Sequence, residues 1–248
     1  MIKYPMKCVI ISIVTFLASL ALSSLNASLI DRTEWYIDAA NGDDANGVGS
    51  PELPFKSIDK LFALNDLLPG LVDSGDIIHL AAGDYSKNQL TEISTPGVEI
   101  NGSLDDDGKL VSVLGDLKIT ADDVVVINCI FVNASLTLQN VERASIFGNL
   151  FTGTTKYSLV LAGASRNMIS QNFFGSAEQS SLFIKVDPKS KKVSDENIFY
   201  ENVFTHPQEY ASRRAILVER AKKQKWSARN YFIPVSYTHL TLPTTSRV

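Results

Sequence analysis

Cysteine is nearly absent: two residues in 248, Cys8 and Cys129. Only Cys129 falls in the body of the chain, which excludes a disulfide framework inside it. Histidine is as scarce, with three residues. No His-Glu-x-x-His, Cys-x-x-Cys, Gly-x-Ser-x-Gly or phosphate loop occurs, so the motif-borne routes to zinc hydrolysis, dithiol redox chemistry, serine acyl transfer and nucleotide binding are missing. No apolar run reaches the roughly 20 residues that a membrane-spanning helix needs. Cys8 to Leu22 comes nearest. With 45% apolar and 20% charged residues, the composition is globular and excludes collagen and disorder.

The two ends stand apart from the rest. Lys3 and Lys7 precede the apolar run, and Ser23, Ser24, Asn26 and Ala27 follow it. That order predicts a secretory signal peptide over 1–27, export to the periplasm, medium or cell surface, and no membrane attachment once it is cleaved. Residues 235–248, opening Val235-Ser236-Tyr237-Thr238-His239, resemble the translation of a sequencing-library adapter. By that resemblance the native chain stops being read near Pro234, and His239 carries no function. Between these ends lie 207 residues with 20 basic and 27 acidic side chains, a net charge of −7. An acidic exported domain argues against nucleic acid as a partner.

What the chain has in place of motifs is repetition. Ile146-Phe147-Gly148-Asn149-Leu150-Phe151 returns as Ile169-Ser170-Gln171-Asn172-Phe173-Phe174 and as Phe199-Tyr200-Glu201-Asn202-Val203-Phe204. Ser227-Ala228-Arg229-Asn230-Tyr231-Phe232 is a weaker copy, and Val126 to Phe131 fits with Cys129 in the Asn slot. The closing Phe residues at 131, 151, 174, 204 and 232 are 20, 23, 30 and 28 apart. Helical repeats of fixed length do not drift in this way, whereas short strands joined by turns of variable length do. The pattern predicts an all-β, right-handed parallel β-helix. Equivalent side chains would stack about 4.8 Å apart, with Asn149, Asn172, Asn202 and Asn230 as a structural amide column.

Trp35-Tyr36-Ile37-Asp38 reads as an entry strand, and Ser57 as the N-cap of a short helix from Ile58 to Leu68. That helix is predicted to cap the open end of the coil. The domain reading is therefore strand and cap over 28–74 and parallel β-helix over 75–234. Strand, Asn-Gly-Asp turn (Asn41-Gly42-Asp43), Pro54-Phe55-Lys56-Ser57-Ile58 and Gly75-Asp76-Ile77-Ile78 together resemble the opening of pectate-lyase-like right-handed β-helix proteins. The resemblance runs from about Trp35 to Phe232 and implies an exported protein acting on, or binding, polysaccharide.

Charge points the same way. From Lys185 to Arg229 eleven basic residues meet six acidic ones, giving +5, while the rest of the 207 residues carries −12. This stretch reads either as a surface for an anionic polysaccharide, with Lys185, His206, Arg213, Arg214 and Lys222 binding it, or as a solvated lysine face. Ala215-Ile216-Leu217-Val218-Glu219-Arg220 is similar to the strand bearing the catalytic Lys of alginate-lyase and chondroitinase-B-type enzymes. By that likeness Arg220 fills the Lys slot and Ala215 the calcium-linked acidic slot, and Arg229 supplies charge stabilisation for β-elimination. Arg stays protonated, which makes it a poor base. A non-catalytic surface or adhesion protein is the competing reading. Asp38, Asp43 and Asp44 are candidate Ca²⁺ ligands, or simply turn residues.

Overall fold

The computed structural model describes residues 32–87, 92–153, 156–175, 177–205, 214–219 and 229–233. The signal-peptide segment 1–27, the tail 235–248, and His206, Arg213, Arg220 and Lys222 lie outside them. One compact unit begins at Glu34.

The chain winds through three sheets, all of them parallel. Sheet A holds β1 (Glu34–Ile37), β2 (Ile77–Leu80), β5 (Glu99–Gly102), β8 (Val125–Ile127), β11 (Ser145–Phe147), β14 (Met168–Ser170), β17 (Ile198–Tyr200) and β20 (Tyr231–Ile233). Sheet B holds β3 (Gly83–Tyr85), β6 (Ser112–Leu114), β9 (Cys129–Val132), β12 (Leu150–Thr152), β15 (Phe173–Phe174) and β18 (Val203–Phe204). Sheet C holds β4 (Glu92–Ile93), β7 (Leu117–Ile119), β10 (Leu136–Gln139), β13 (Tyr157–Ala162), β16 (Ser180–Lys185) and β19 (Arg214–Val218). From β2 to β19 the windings visit A, then B, then C; β1 and β2 both lie in sheet A, with only the helix between them. The architecture is the right-handed parallel β-helix, and β1 already belongs to it, pairing with β2 from Glu34↔Ile77 to Ile37↔Leu80.

Alternation along each strand sends one set of side chains inward. Register stacks them: Phe131, Phe151, Phe174 and Phe204 face one another across β9, β12, β15 and β18. Their ring centroids are 4.8 Å apart at every step, with interplanar angles of 8–9°. Parallel stacking at the strand spacing buries the ring faces against one another. Each such aromatic pair adds about 0.5–1.5 kcal/mol beyond its buried area. Ile119, Leu138, Leu161 and Ile184 form the matching column in sheet C, all fully buried.

The corners are made by left-handed residues followed by buried amides. Between sheets A and B, Asn128, Gly148, Gln171 and Glu201 have φ of 57°, 65°, 54° and 54°. The next residue turns inward. Asn149 donates its backbone N–H and Nδ2 to Asn172 Oδ1, both at 3.0 Å, and Asn172 does the same to Asn202 Oδ1. Cys129 occupies the slot before Asn149, and its N–H donates to Asn149 Oδ1 at 2.9 Å. Burial pushes the Cys129 thiol up to about 12, against the opposing Gly102 backbone hydrogen bond.

Asn230 does not continue this column. β20 pairs with β17, so Phe232 lies on Phe199 at 4.5 Å and not on Phe204. Asn230 instead ends a second amide column at the corner between sheets C and A. There Asn167 donates to Asn197 Oδ1, and Asn197 donates to Asn230 Oδ1 at 2.8 Å. The expectation for Asn230 and Phe232 is corrected for a physical reason. Both corners use the same turn, a left-handed residue and then an inward Asn, so a local copy of the sequence does not say which corner it makes.

At the N-terminal end, α1 (Ile58–Leu67) places Ile58 and Leu61 in the core cluster. Ser57 caps it, accepting from the Lys60 N–H at 3.2 Å and donating to Asp44 Oδ2 at 2.6 Å. The cleft lined by Ile58, Tyr85, Ile100, Leu114 and Leu117 encloses about 20 Å³. That is room for about one water molecule. Among the described residues the interior is filled by side chains, so a ligand site has to be sought on the outer faces.

Candidate functional site

Among the candidate basic residues, Lys185 is placed by β16 on the outer face of sheet C. Alternation sends Leu182 and Ile184 inward and turns Phe183 and Lys185 to the other face, where Phe183 is buried, at 8% exposure, and Lys185 half-buried. Lys185 Nζ lies 5.4 Å from the centroid of the Phe183 ring. That ring stacks on Tyr157 at 4.3 Å, and Lys156 Nζ stands 5.5 Å from the Tyr157 centroid. Tyr157 Oη donates to Gln179 Oε1 at 2.7 Å, which fixes the ring. Two ammonium groups thus flank one aromatic pair contributed by adjacent windings. A cation over a ring gains about 0.5–1 kcal/mol at an exposed site, and it keeps unused N–H donors directed outward.

The segment that follows β16 is anchored by a carboxylate that sequence reading missed. Asp187 is 1% exposed. Its oxygens accept from the Ser190 N–H at 2.6 Å, Gln139 Nε2 at 3.1 Å and Asn140 Nδ2 at 3.4 Å. The Ser190 backbone N–H, first among these partners, holds the carboxyl down to about 2 against the upward push of burial. This tether fixes the loop on which Lys189, Lys191 and Lys192 stand exposed beside Lys185. A lone Asp between Val186 and Pro188 carries no sequence signal, since its side-chain amide partners are 47 and 48 residues away.

β19 runs beside β16, with Ile184 opposite Val218, and the Glu219 N–H donates to Ile184 O at 2.8 Å. Arg214 opens this strand opposite Ser180; its side chain is outside the described residues. Arg229 is placed elsewhere, at the corner between sheets C and A. Its guanidinium holds Asp195 at 3.0 Å and Glu196 at 2.9 Å, and the Asp195 hydrogen bond raises its pKa further. Arg229 is one step in a run of exposed ion pairs along that corner. Arg143 grips Asp123 through two 2.7 Å bonds, and Arg166 pairs with Glu142. The structure does not bring Arg229 to the Lys185 cluster.

The three candidate calcium ligands are spent on turns. Asp38 accepts from the N–H groups of Ala40 and Asn41, both at 2.9 Å, and Asp43 from Ala45 at 2.8 Å. Asp44 accepts from Lys56 and Ser57. These contacts hold the entry loop against the capping helix. Among the described residues no group of three His, Cys, Asp or Glu side chains is arranged to hold a metal ion.

No family model matches the chain, and no curated protein matches it. Two solved structures resemble it, both of a GH136 lacto-N-biosidase from Eubacterium ramulus. The native structure shares 12% identity with a TM-score of 0.35, and the selenomethionine derivative 11% with 0.29. Each match covers 81% of this chain and 56% of the other, so the chain spans little more than half their length. At those values the similarity bears on no residue's role.

Proposed function

We propose that this chain is an exported β-helix that binds an anionic polysaccharide across the outer face of sheet C. The observation that carries the reading is the pair of ammonium groups, Lys156 and Lys185, set over the stacked rings of Tyr157 and Phe183. Lysines present donors to carboxylate or sulfate groups, and the edge of Tyr157, the half-buried ring of the pair, supports the apolar side of a sugar ring. The exposed lysines of the adjoining loop extend the positive surface in an otherwise acidic protein, which favours capture of a polyanion.

Binding of polygalacturonate, alginate and chondroitin sulfate by the full chain, read by affinity electrophoresis, tests this. Lys185→Ala is expected to weaken retention about tenfold, as loss of a charge-assisted contact does, and raised salt should weaken it further. Equal retention of both proteins would remove the site. Turnover is a second reading, favoured by the pairing of β19 with β16, which sets Val218 opposite Ile184, the residue before Lys185. β-Elimination would appear as rising ultraviolet absorbance from unsaturated uronate ends. Binding without that rise would leave a glycan-binding module.

A further inference from the structure

From β8 to β20 the outer face of sheet A carries no charge. Five successive strands each turn two side chains outward, in register. One column is Val125, Ser145, Met168, Ile198 and Tyr231, and the other Ile127, Phe147, Ser170, Tyr200 and Ile233. The residues between them, Val126, Ile146, Ile169 and Phe199, are buried in the core. None of the ten outward residues is charged, in a chain where 20% of residues are. Solvent reaches all of them except Ser170, and Phe147 is 38% exposed. A contiguous apolar face of this kind marks an interaction surface.

The edge of this face toward sheet C is charged, and the order of its signs matters. Two residues before the first column, the same register places Asp123, Arg143, Arg166, Glu196 and Arg229 on successive windings. Set against its own reverse, this row is complementary at four of five steps. Asp123 meets Arg229, Arg143 meets Glu196, and only Arg166 meets its own kind, with Glu142 already paired to it. The edge toward sheet B holds Asn128, Gly148, Gln171 and Glu201, and reversal sets its one charge, Glu201, against Gly148. A two-fold axis along the coil would instead bring Glu196 against Glu201.

We propose that this face docks a second copy of the chain, the two coils running antiparallel about a two-fold axis at β14. Such an interface is self-complementary. Phe147 packs on Tyr200 of the second copy, Ile127 on Ile233, Val125 on Tyr231, and Met168 on itself. Five strands about 4.8 Å apart, each presenting six residues of about 3.3 Å, give a footprint of about 24 by 20 Å. Two copies together cover about 1,000 Å², the lower bound for specific association. The apolar centre supplies the attraction and the charged rim sets the direction, so the dimer is weak and reversible. The proposal does not rest on the lysine cluster of sheet C.

Sedimentation equilibrium of the full chain from about 1 to about 300 μM tests it, a range that brackets a weak dimer. A reversible shift from monomer to dimer is expected. Phe147→Lys, which puts a charge into the covered centre, should weaken the dimer at least about tenfold. Arg143→Glu and Glu196→Arg should each weaken it about fivefold, since each rim contact occurs twice. The double variant should bind within about twofold of the parent, because the swapped charges again face each other. Within one chain the two positions are two windings apart, so this rescue needs the second copy. A chain that stays monomeric throughout, assembly beyond the dimer, undiminished association of a folded Phe147→Lys protein, or a double variant no better than its singles would each overturn the proposal. If Phe147→Lys does not fold, the charge swap decides.

Discussion

Asn172 makes five hydrogen bonds from one side chain. Nδ2 donates to Ile146 O, Ser170 O and Asn202 Oδ1, while Oδ1 accepts both donors of Asn149. All of it is buried. Asn172→Ala removes the acceptor of the buried Asn149 backbone N–H, while Asn149 Nδ2 keeps Val126 O and Phe147 O and Ser170 O keeps the Gly148 N–H; a buried donor left unpaired costs about 1–3 kcal/mol. We expect a loss of about 1–3 kcal/mol in urea denaturation, with less for Asn230→Ala at the half-buried end of its column. Asp187 makes a second prediction at this scale. Its folded pKa, about 2, is below the roughly 3.9 of an unfolded Asp. Its contribution is therefore complete above about pH 4 and lost as pH falls through about 2. The stability gap between the parent chain and Asp187→Asn should close over that window, measured by thermal unfolding at stepped pH.

Elements explain which parts of the fold could be read in advance. Asn149, Asn172 and Asn202 with Phe151, Phe174 and Phe204 were legible because strand, corner and strand follow within six residues. The second column, Asn167–Asn197–Asn230, was not. Its signal is a paired spacing, Asn167 with Asn172 and Asn197 with Asn202, in which each winding bears two amides five residues apart. The capping helix was legible from Ser57 and its apolar face, and it ends at Leu67, one residue short of the expected Leu68. Ser57→Ala removes the cap bond and the link to Asp44, and is expected to cost about 1–2 kcal/mol. Calorimetric melting reads that loss. The site was legible only at Lys185. Tyr157 and Lys156 lie nearly thirty residues upstream, and Tyr36 meets His79 across 43 residues. Register unites these pairs, and register depends on loop lengths that a local pattern does not encode.

Across the molecule, stability is built from neighbour terms between windings. Phe151 has a ring on each side, whereas Phe204 is only partly buried, and among the described residues Phe174 is its one stacking partner. Phe151→Ala should cost about 3–5 kcal/mol and Phe204→Ala clearly less, read from denaturant midpoints at unchanged slope.

The amide columns have one more consequence. Between neighbouring amides the side-chain carbonyl receives from the preceding winding and the side-chain NH₂ gives to the following one. The columns are therefore polar lines with a fixed sense, like beads that thread from one side only. A winding duplicated between Asn172 and Asn202, bearing its own Asn, would find a donor beneath it and an acceptor above it. The coil can be lengthened in its middle by whole turns, and the same segment spliced in reverse would break the line at two places.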